Sequence, residues 1–226
     1  MVPARTRITL GILAVVLPLA GCDNIENPAV AQGVSRNDLI AGLAAQLEGS
    51  ASLTYTAAYQ LAGGTTGSIA QSQSPTRTAY RYPTGVVLVT DDATTTCTKK
   101  SCTMTAPPVS AASPPAAVLA DAQRAGLVAG STVFALLTAA ALDTDMTVDQ
   151  HDTTIAGRHA TCVDLSDVDD AATREFSTCI TNDGVLGSFT GTLNGKALDL
   201  AMTNYADRAA DDAFDLPRGA KLTDRR

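Results

Sequence analysis

The chain has 226 residues, of which 45% are hydrophobic but only 4% aromatic, and it contains no tryptophan. Sixteen Lys and Arg residues stand against 23 Asp and Glu residues, which gives a net charge of −7 and argues against binding to DNA or RNA. No run of 18 apolar residues is present, and the aliphatic content is too high for a disordered chain. The composition therefore predicts one globular domain.

The N-terminus has the features of a secretory signal peptide. Two arginines precede an apolar stretch over 10–20 that is too short to span a bilayer. Residues 19–22 (Leu-Ala-Gly-Cys) resemble the lipobox of bacterial lipoproteins, whose cysteine is acylated and becomes the mature N-terminus. We therefore expect a signal peptide over 1–21, a lipid anchor at Cys22, and an extracytoplasmic protein that is attached to the cell membrane. The alternative is a secreted protein with a free cysteine near its cleavage site.

The cysteine count supports the lipoprotein interpretation. Five is odd, and lipidation of Cys22 leaves four cysteines, an even set suited to two disulfides in an oxidising compartment. Of the three pairings, we predict Cys97 with Cys102 and Cys162 with Cys179, because only this one joins neighbours in the predicted hairpins. A metal half-site at the first pair is the alternative, although no second Cys or His pair at ligand spacing accompanies it.

The chain after the anchor begins with a tether. Residues 22–34 have no hydrophobic periodicity and include a proline and a glycine, so they are predicted to link the lipid to a single domain over 35–226. Ser35 is predicted to cap a helix over 36–48, whose apolar side chains recur at helical spacing. Threonine-rich, alternating segments follow. They predict strands over 53–61, 66–73, 76–82 and 86–91.

A Pro-, Ala- and Ser-rich stretch over 106–115 separates two runs of strands and is predicted to be a hinge or an exposed flap. Two helices are predicted after it, at 116–125 and 132–142, the second capped by Ser131. The second helix is apolar on nearly every side, so we expect the rest of the fold to cover it. With about a dozen residues, it is too short to span a membrane.

The C-terminal part returns to strands separated by tight turns. Asn182-Asp183-Gly184 and Asn194-Gly195 are typical of β-hairpins, and an acidic loop over 166–170 is predicted to join two paired strands. The predicted elements are an edge strand from 148, strands over 153–164, 175–182, 185–193 and 196–205, and a last edge segment over 211–224.

This order of elements resembles that of the LolA-like half-barrel lipid carriers, and among them the LppX/LprG-type cell-envelope lipoproteins. The resemblance covers the mature chain in pattern, and its most specific residues are the lipobox, Leu53–Ala57 and the segment AFDLPRGA over 213–220. It implies an α+β fold in which helices cover the concave face of a strongly curved antiparallel sheet, and this face receives acyl chains. The family has no catalytic residues, so the resemblance implies a binding protein that uses no cofactor. Four extra cysteines and few aromatics depart from several members.

Residues that could support catalysis or bind a metal are few. His151 and His159 lie near Cys162, but they are eight residues apart on a strand and a turn, and Cys162 has a disulfide partner available. The carboxylates at 164–170 lack the spacing of an EF-hand, so a solvated acidic turn is favoured. Ser131 is outside any Gly-x-Ser-x-Gly motif. We therefore expect neither a metal site nor an enzyme.

The resemblance directs attention to a pocket between helices and sheet. Alanine-rich helices over a curved sheet leave apolar space, which either a ligand or local collapse must fill. The sequence thus favours a lipoprotein that binds or carries an acyl-chain lipid or glycolipid in the envelope. The alternative is an anchored interaction module whose acidic surface binds another envelope protein. The candidate pocket residues are Tyr59, Leu119, Val133, Phe134, Leu137 and Ala139.

Overall fold

A computed structural model describes residues 28–111, 113–169 and 171–226, with the side chains of 28–35 left out. The predicted signal peptide, Cys22 and the first part of the predicted tether lie outside the described residues. None of the helices in the described ranges is both long and apolar enough to cross a membrane.

The described residues form one open sheet of twelve strands, in the order β12-β6-β5-β4-β3-β2-β1-β11-β10-β9-β8-β7. All neighbouring strands are antiparallel except β12 and β6, which run parallel. The outermost strands do not pair, so the sheet is not closed. The strands are β1 (Tyr55–Leu61), β2 (Thr66–Gln73), β3 (Thr76–Tyr82), β4 (Gly85–Thr90), β5 (Thr94–Thr98), β6 (Ser101–Thr105), β7 (Thr147–Ile155), β8 (Arg158–Ser166), β9 (Phe176–Thr181), β10 (Leu186–Leu193), β11 (Lys196–Ala206) and β12 (Lys221–Asp224).

The two runs of strands meet in the middle of the sheet. β1 pairs with β11, and Leu61 lies opposite Leu200. The sheet is strongly curved at its C-terminal side: the guanidinium carbon of Arg158, at the start of β8, lies 4.4 Å from the ring centre of Tyr205 on β11. Two strands, β9 and β10, separate β8 from β11 in the sheet, so only a curled sheet brings these side chains together.

Three α-helices among the described residues complete the fold: α1 (Pro28–Gly49), α2 (Ala120–Arg124) and α3 (Gly130–Ala141). The buried faces of α1 and α3 share one core cluster with the inward residues of the sheet. Ile40 and Leu47 of α1, Leu137 of α3 and Tyr59 of β1 are at most 3% exposed. The predicted α+β half-barrel, with helices on the concave face, is thus confirmed.

Helix α1 is longer than the sequence pattern predicted. Its described part covers Pro28–Gly49, so residues 28–34, which the sequence pattern assigned to a tether without regular structure, are helical. Ser35 lies inside the helix and does not cap it.

The helices that follow the flap also differ from the prediction. α2 covers only Ala120–Arg124, because residues 116–119 form turns. α3 begins at Gly130, and Ala129 at its N-cap provides no side-chain hydrogen bond, so the predicted cap at Ser131 is wrong. Instead the Ser131 hydroxyl donates to the Pro114 carbonyl oxygen, 3.4 Å away.

The expectation that α3 is covered on all sides is also wrong. Val133, Leu136, Leu137 and Ala140 are buried. The opposite side carries Ala135 and Thr138, which face solvent. Small side chains expose little apolar area, so this side needs no cover.

The strand predictions over 66–73 and 76–82 coincide with β2 and β3. The predicted strand over 153–164 is wrong, since a tight turn at Ala156-Gly157 divides this segment between β7 and β8. The Asn-containing turns were recognised from sequence. An Ala-Gly turn inside an alternating segment carries a weaker signal.

Candidate functional site

A cavity of about 110 Å³ lies between the end of α1, the start of α3 and strands β1–β3. Its inner wall is formed by apolar and aromatic side chains, and its mouth by small polar groups and one carboxylate. The lining residues are Leu47, Glu48, Ser50, Tyr55, Ile69, Gln71, Tyr80, Ser113, Gly130, Ser131 and Phe134.

The pairing register of β1, β2 and β3 determines which side chains form the floor of this cavity. Tyr55 on β1 lies opposite Gln71 on β2, and Ile69 on β2 lies opposite Tyr80 on β3. Alternation along each strand then directs all four side chains to the helix-covered face. Above them, the absence of a side chain at Gly130 leaves room, because a methyl group there would lie 3.3 Å from Leu47 Cδ1.

Gln71 connects the floor to the end of α1. Its side chain is only 3% exposed, and its amide nitrogen donates to the carbonyl oxygens of Ser50 at 2.8 Å and Leu53 at 2.9 Å. A third, longer contact reaches the carbonyl oxygen of Ala51 at 3.1 Å. The amide nitrogen is therefore fully used in holding the segment between α1 and β1.

The tyrosines of the concave face differ in their hydrogen bonds. The Tyr59 hydroxyl donates to the Leu186 carbonyl oxygen at 2.9 Å. The hydroxyls of Tyr55 and Tyr80 make no hydrogen bond with any residue of the described ranges. Burial raises the pKa of both groups well above the ordinary tyrosine value, so both remain protonated donors at neutral pH.

Of the six predicted pocket residues, only Phe134 lines this cavity. Tyr59, Leu119, Val133 and Leu137 are at most 3% exposed and pack in the core outside this cavity, so their assignment to a ligand pocket stays a prediction. Ala139 lies in an open cleft on the outer surface, beside Leu142 and Asp143, and not in this cavity.

The residues that do line the floor were missed by sequence reasoning. Tyr55, Ile69 and Tyr80 belong to ordinary alternating strands, which do not reveal where packing leaves space. Gln71 is the one lining residue that the sequence could have indicated, because a buried amide at an inward position of a strand needs hydrogen-bond partners.

Both predicted disulfides are present. Cys97 bonds to Cys102 across the β5–β6 hairpin, and Cys162 bonds to Cys179 at directly opposite positions of β8 and β9. The alternative of a metal half-site at 97–102 is therefore wrong.

Other candidate groups do not assemble into a site. The Nδ1 atom of His151 lies 3.7 Å from an Asp164 carboxylate oxygen, and both side chains are at least half exposed. Within the described ranges, no three His, Cys, Asp or Glu side chains are placed to hold a metal ion.

The acidic loop has a structural partner. The Asp143 carboxylate accepts backbone N–H groups from Asp169 at 2.7 Å and from Asp145 at 2.8 Å, and these bonds lower its pKa. The interaction connects the loop to the turn that follows α3.

The described residues thus form an open, curved antiparallel sheet with helices over a small concave cavity. No family model matches the chain, and no curated protein matches it either. Similar solved structures exist. MucB is 14% identical, with a TM-score of 0.51, over 81% of this chain and 65% of the MucB chain.

Two further structures have lower TM-scores. An uncharacterized conserved protein from Thermus thermophilus is 12% identical, with a TM-score of 0.46, over 82% of this chain and 98% of its own. The MucA/MucB complex of Pseudomonas aeruginosa matches with a TM-score of 0.49 and 12% identity, over 80% of this chain and 60% of the matched chain. At these identities the likeness shows the fold alone.

Proposed function

We propose that this protein is an envelope lipoprotein that binds the acyl chain of a lipid or glycolipid in the cavity between α1, α3 and the sheet. The observation that carries the proposal is a cavity with an inner wall of Leu47, Ile69 and Phe134 that opens through a polar mouth at Glu48 and Ser131. Ligand sites combine a mostly apolar lining with a few polar groups in this way. The resemblance to LppX/LprG-type lipoproteins supports the same ligand class.

The size of the cavity indicates how such a ligand must enter. A cavity of about 150 Å³ holds one benzene molecule in a well-studied case, so about 110 Å³ is too small for a whole acyl chain. Binding therefore requires the start of α3 to separate from the sheet. The Pro-rich flap lies beside this point, where the Pro114 carbonyl oxygen accepts the long hydrogen bond from Ser131. Breaking this contact opens the mouth at little energetic cost.

The proposal includes attachment to the membrane through Cys22, the fifth and unpaired cysteine of the sequence. Acylation at this position would hold the cavity close to the membrane that supplies its ligand. Cys22→Ser is expected to release the protein from the membrane fraction or to leave an uncleaved precursor. Normal processing with unchanged fractionation would contradict the anchor.

A second candidate is an envelope interaction module without lipid cargo. The likeness to MucB, which has also been solved in a complex with MucA, supports it. So do the large apolar side chains of Val109, in the flap, and Leu142, after α3, which are exposed. Both candidates are binding proteins, and we propose no catalytic role.

Organic extraction of the purified full chain, followed by mass spectrometry, separates the two candidates. A carrier releases non-covalent lipid, whereas an interaction module releases none. Ser131→Phe places a ring at the cavity mouth and is expected to remove this lipid. Ala135→Phe adds the same bulk on the exposed side of α3 and serves as the matched control.

The melting temperature of both variants shows whether they fold. A folded Ser131→Phe protein with its full lipid load would contradict the assigned cavity. A wild-type protein that carries no lipid and takes none up from vesicles would favour the interaction module.

A further inference from the structure

We propose that the hydroxyls of Tyr55 and Tyr80 select ligands that place a neutral hydrogen-bond acceptor, such as an ester carbonyl, inside the cavity. This inference rests on the proposed function, because it assigns the part of the ligand that the floor recognises.

The first observation is that two tyrosine hydroxyls without a hydrogen-bond acceptor among the described residues line the cavity. Tyr55 and Tyr80 are only 6% and 4% exposed, and both line the cavity. Neither hydroxyl has a hydrogen-bond partner in the described part of the chain, whereas that of Tyr59, on the same sheet face, has one. Both hydroxyls border the cavity and are not among the fully enclosed unpartnered atoms of the described residues, so they can donate to a molecule that enters it.

A second observation lies in the same row of the sheet. Thr78 on β3 stands opposite Gln71, which stands opposite Tyr55 on β1. The Thr78 hydroxyl is completely buried and has no hydrogen-bond partner among the described residues. A second buried hydroxyl without a partner among the described residues thus lies two residues from Tyr80 on β3, although Thr78 itself does not line the cavity.

The chemistry of the lining residues indicates what kind of partner fits. The tyrosine hydroxyls are protonated donors, and the amide nitrogen of Gln71 is already used by three backbone carbonyls. The ligand must therefore accept hydrogen bonds. Among the described residues, the lining contains no Lys or Arg, and its one charged side chain, Glu48, is a carboxylate at the mouth. An anionic ligand would be desolvated without a counter-charge, so a neutral acceptor is favoured.

The test compares matched ligands on the full chain carrying Cys22→Ser, which removes the proposed acyl anchor. Methyl decanoate and dodecane have similar length, but only the ester carries a carbonyl. Their affinities are measured by displacement of the neutral fluorophore N-phenyl-1-naphthylamine. Transfer from water itself favours the alkane, so the quantity compared is the ratio of ester to alkane affinity. We expect the two hydroxyls to raise this ratio about fivefold, since one buried hydrogen bond is worth about that factor.

The Tyr55→Phe/Tyr80→Phe double variant is expected to lose this increase in the ratio and to keep its affinity for dodecane. Tyr82→Phe is the matched control, because Tyr82 lies on the same strand as Tyr80 but does not line the cavity. Decanoate anion should bind more weakly than the ester. Circular dichroism verifies that each variant is folded.

The possible failures are distinguishable. If the ratio of ester to alkane affinity is the same in the wild type and the double variant, the inference is wrong while the proposed function stands. If neither compound displaces the fluorophore, the proposed function is wrong and the inference falls with it.

Discussion

At the scale of single residues, the turn between β9 and β10 shows how the absence of a side chain at one position allows two elements to make contact. Gly184 has a φ of +84°, and it lies directly against the last turn of α1. Beside it, the Gln46 amide donates to the Thr181 carbonyl oxygen at 2.9 Å. The hairpin turn therefore supports the helix that forms one wall of the cavity.

Gly184→Ala is expected to destabilise the protein strongly, because its methyl group would clash with the Gln46 carbonyl oxygen. We expect a loss of about 3 kcal/mol in the free energy of unfolding, measured by urea denaturation.

Gly63→Ala is the matched control for this substitution. Gly63 has a similar φ of +78°, but a methyl group there would meet nothing within 4 Å, so we expect a loss of about 1 kcal/mol. Equal losses in both variants would show that backbone strain alone explains the effect at Gly184.

At the scale of elements, the C-terminal segment is held on the outer face of the sheet by two arginines of β3. The Arg77 guanidinium carbon lies 4.0 Å from the ring centre of Phe214, and this arginine also pairs with Asp211. Arg81 donates from Nε to the Ala213 carbonyl oxygen at 3.1 Å, and from Nη2 to the Asp215 carbonyl oxygen. This segment contains the AFDLPRGA motif.

Arg81→Gln removes hydrogen bonds from this segment and is expected to expose it to proteolysis. We expect trypsin to cleave after Arg218 about fivefold faster than in the wild type, because local opening becomes easier by about 1 kcal/mol. Arg208→Gln, which changes an exposed arginine, is the matched control. The same cleavage rate in both variants would mean that Phe214 packing alone holds the segment.

At the scale of the whole molecule, buried tyrosines connect the stability of the fold to alkaline pH. Burial raises the pKa of Tyr55, Tyr59 and Tyr80 above the ordinary value of 10.0. In the unfolded chain the same hydroxyls ionise near that value. Below about pH 10 their contribution to stability is therefore fully present, and it is lost as the pH rises through the raised values.

We expect the urea midpoint to fall steadily from about pH 10 upward, with the tyrosinate absorbance of Tyr55, Tyr59 and Tyr80 appearing only as the protein unfolds. Lysines titrate in the same range, so wild type is compared with Tyr80→Phe, which has one buried phenol fewer. The variant should lose stability less steeply. Identical slopes would contradict the assignment of Tyr80 as a group that stays protonated in the folded state.

What the sequence by itself determined is the set of local elements and their nearest neighbours. Strands β2 and β3, the Asn-Gly hairpin turns and both disulfides were predicted from it, because each depends on residues close together in the chain. The pattern of these elements also carried the resemblance to a half-barrel, which the twelve-stranded sheet of the described residues confirms.

Only the tertiary structure decided where a cavity remains between the sheet and the helices. Tyr59 and Tyr55 belong to the same strand, point inward and share one core cluster, yet only Tyr55 lines the cavity. The difference arises from Leu47 and Gly130, on two helices distant in sequence, which meet above the floor. Periodicity reports which face a side chain occupies, but a cavity depends on how closely separate elements pack, and that distance is a property of the assembled molecule.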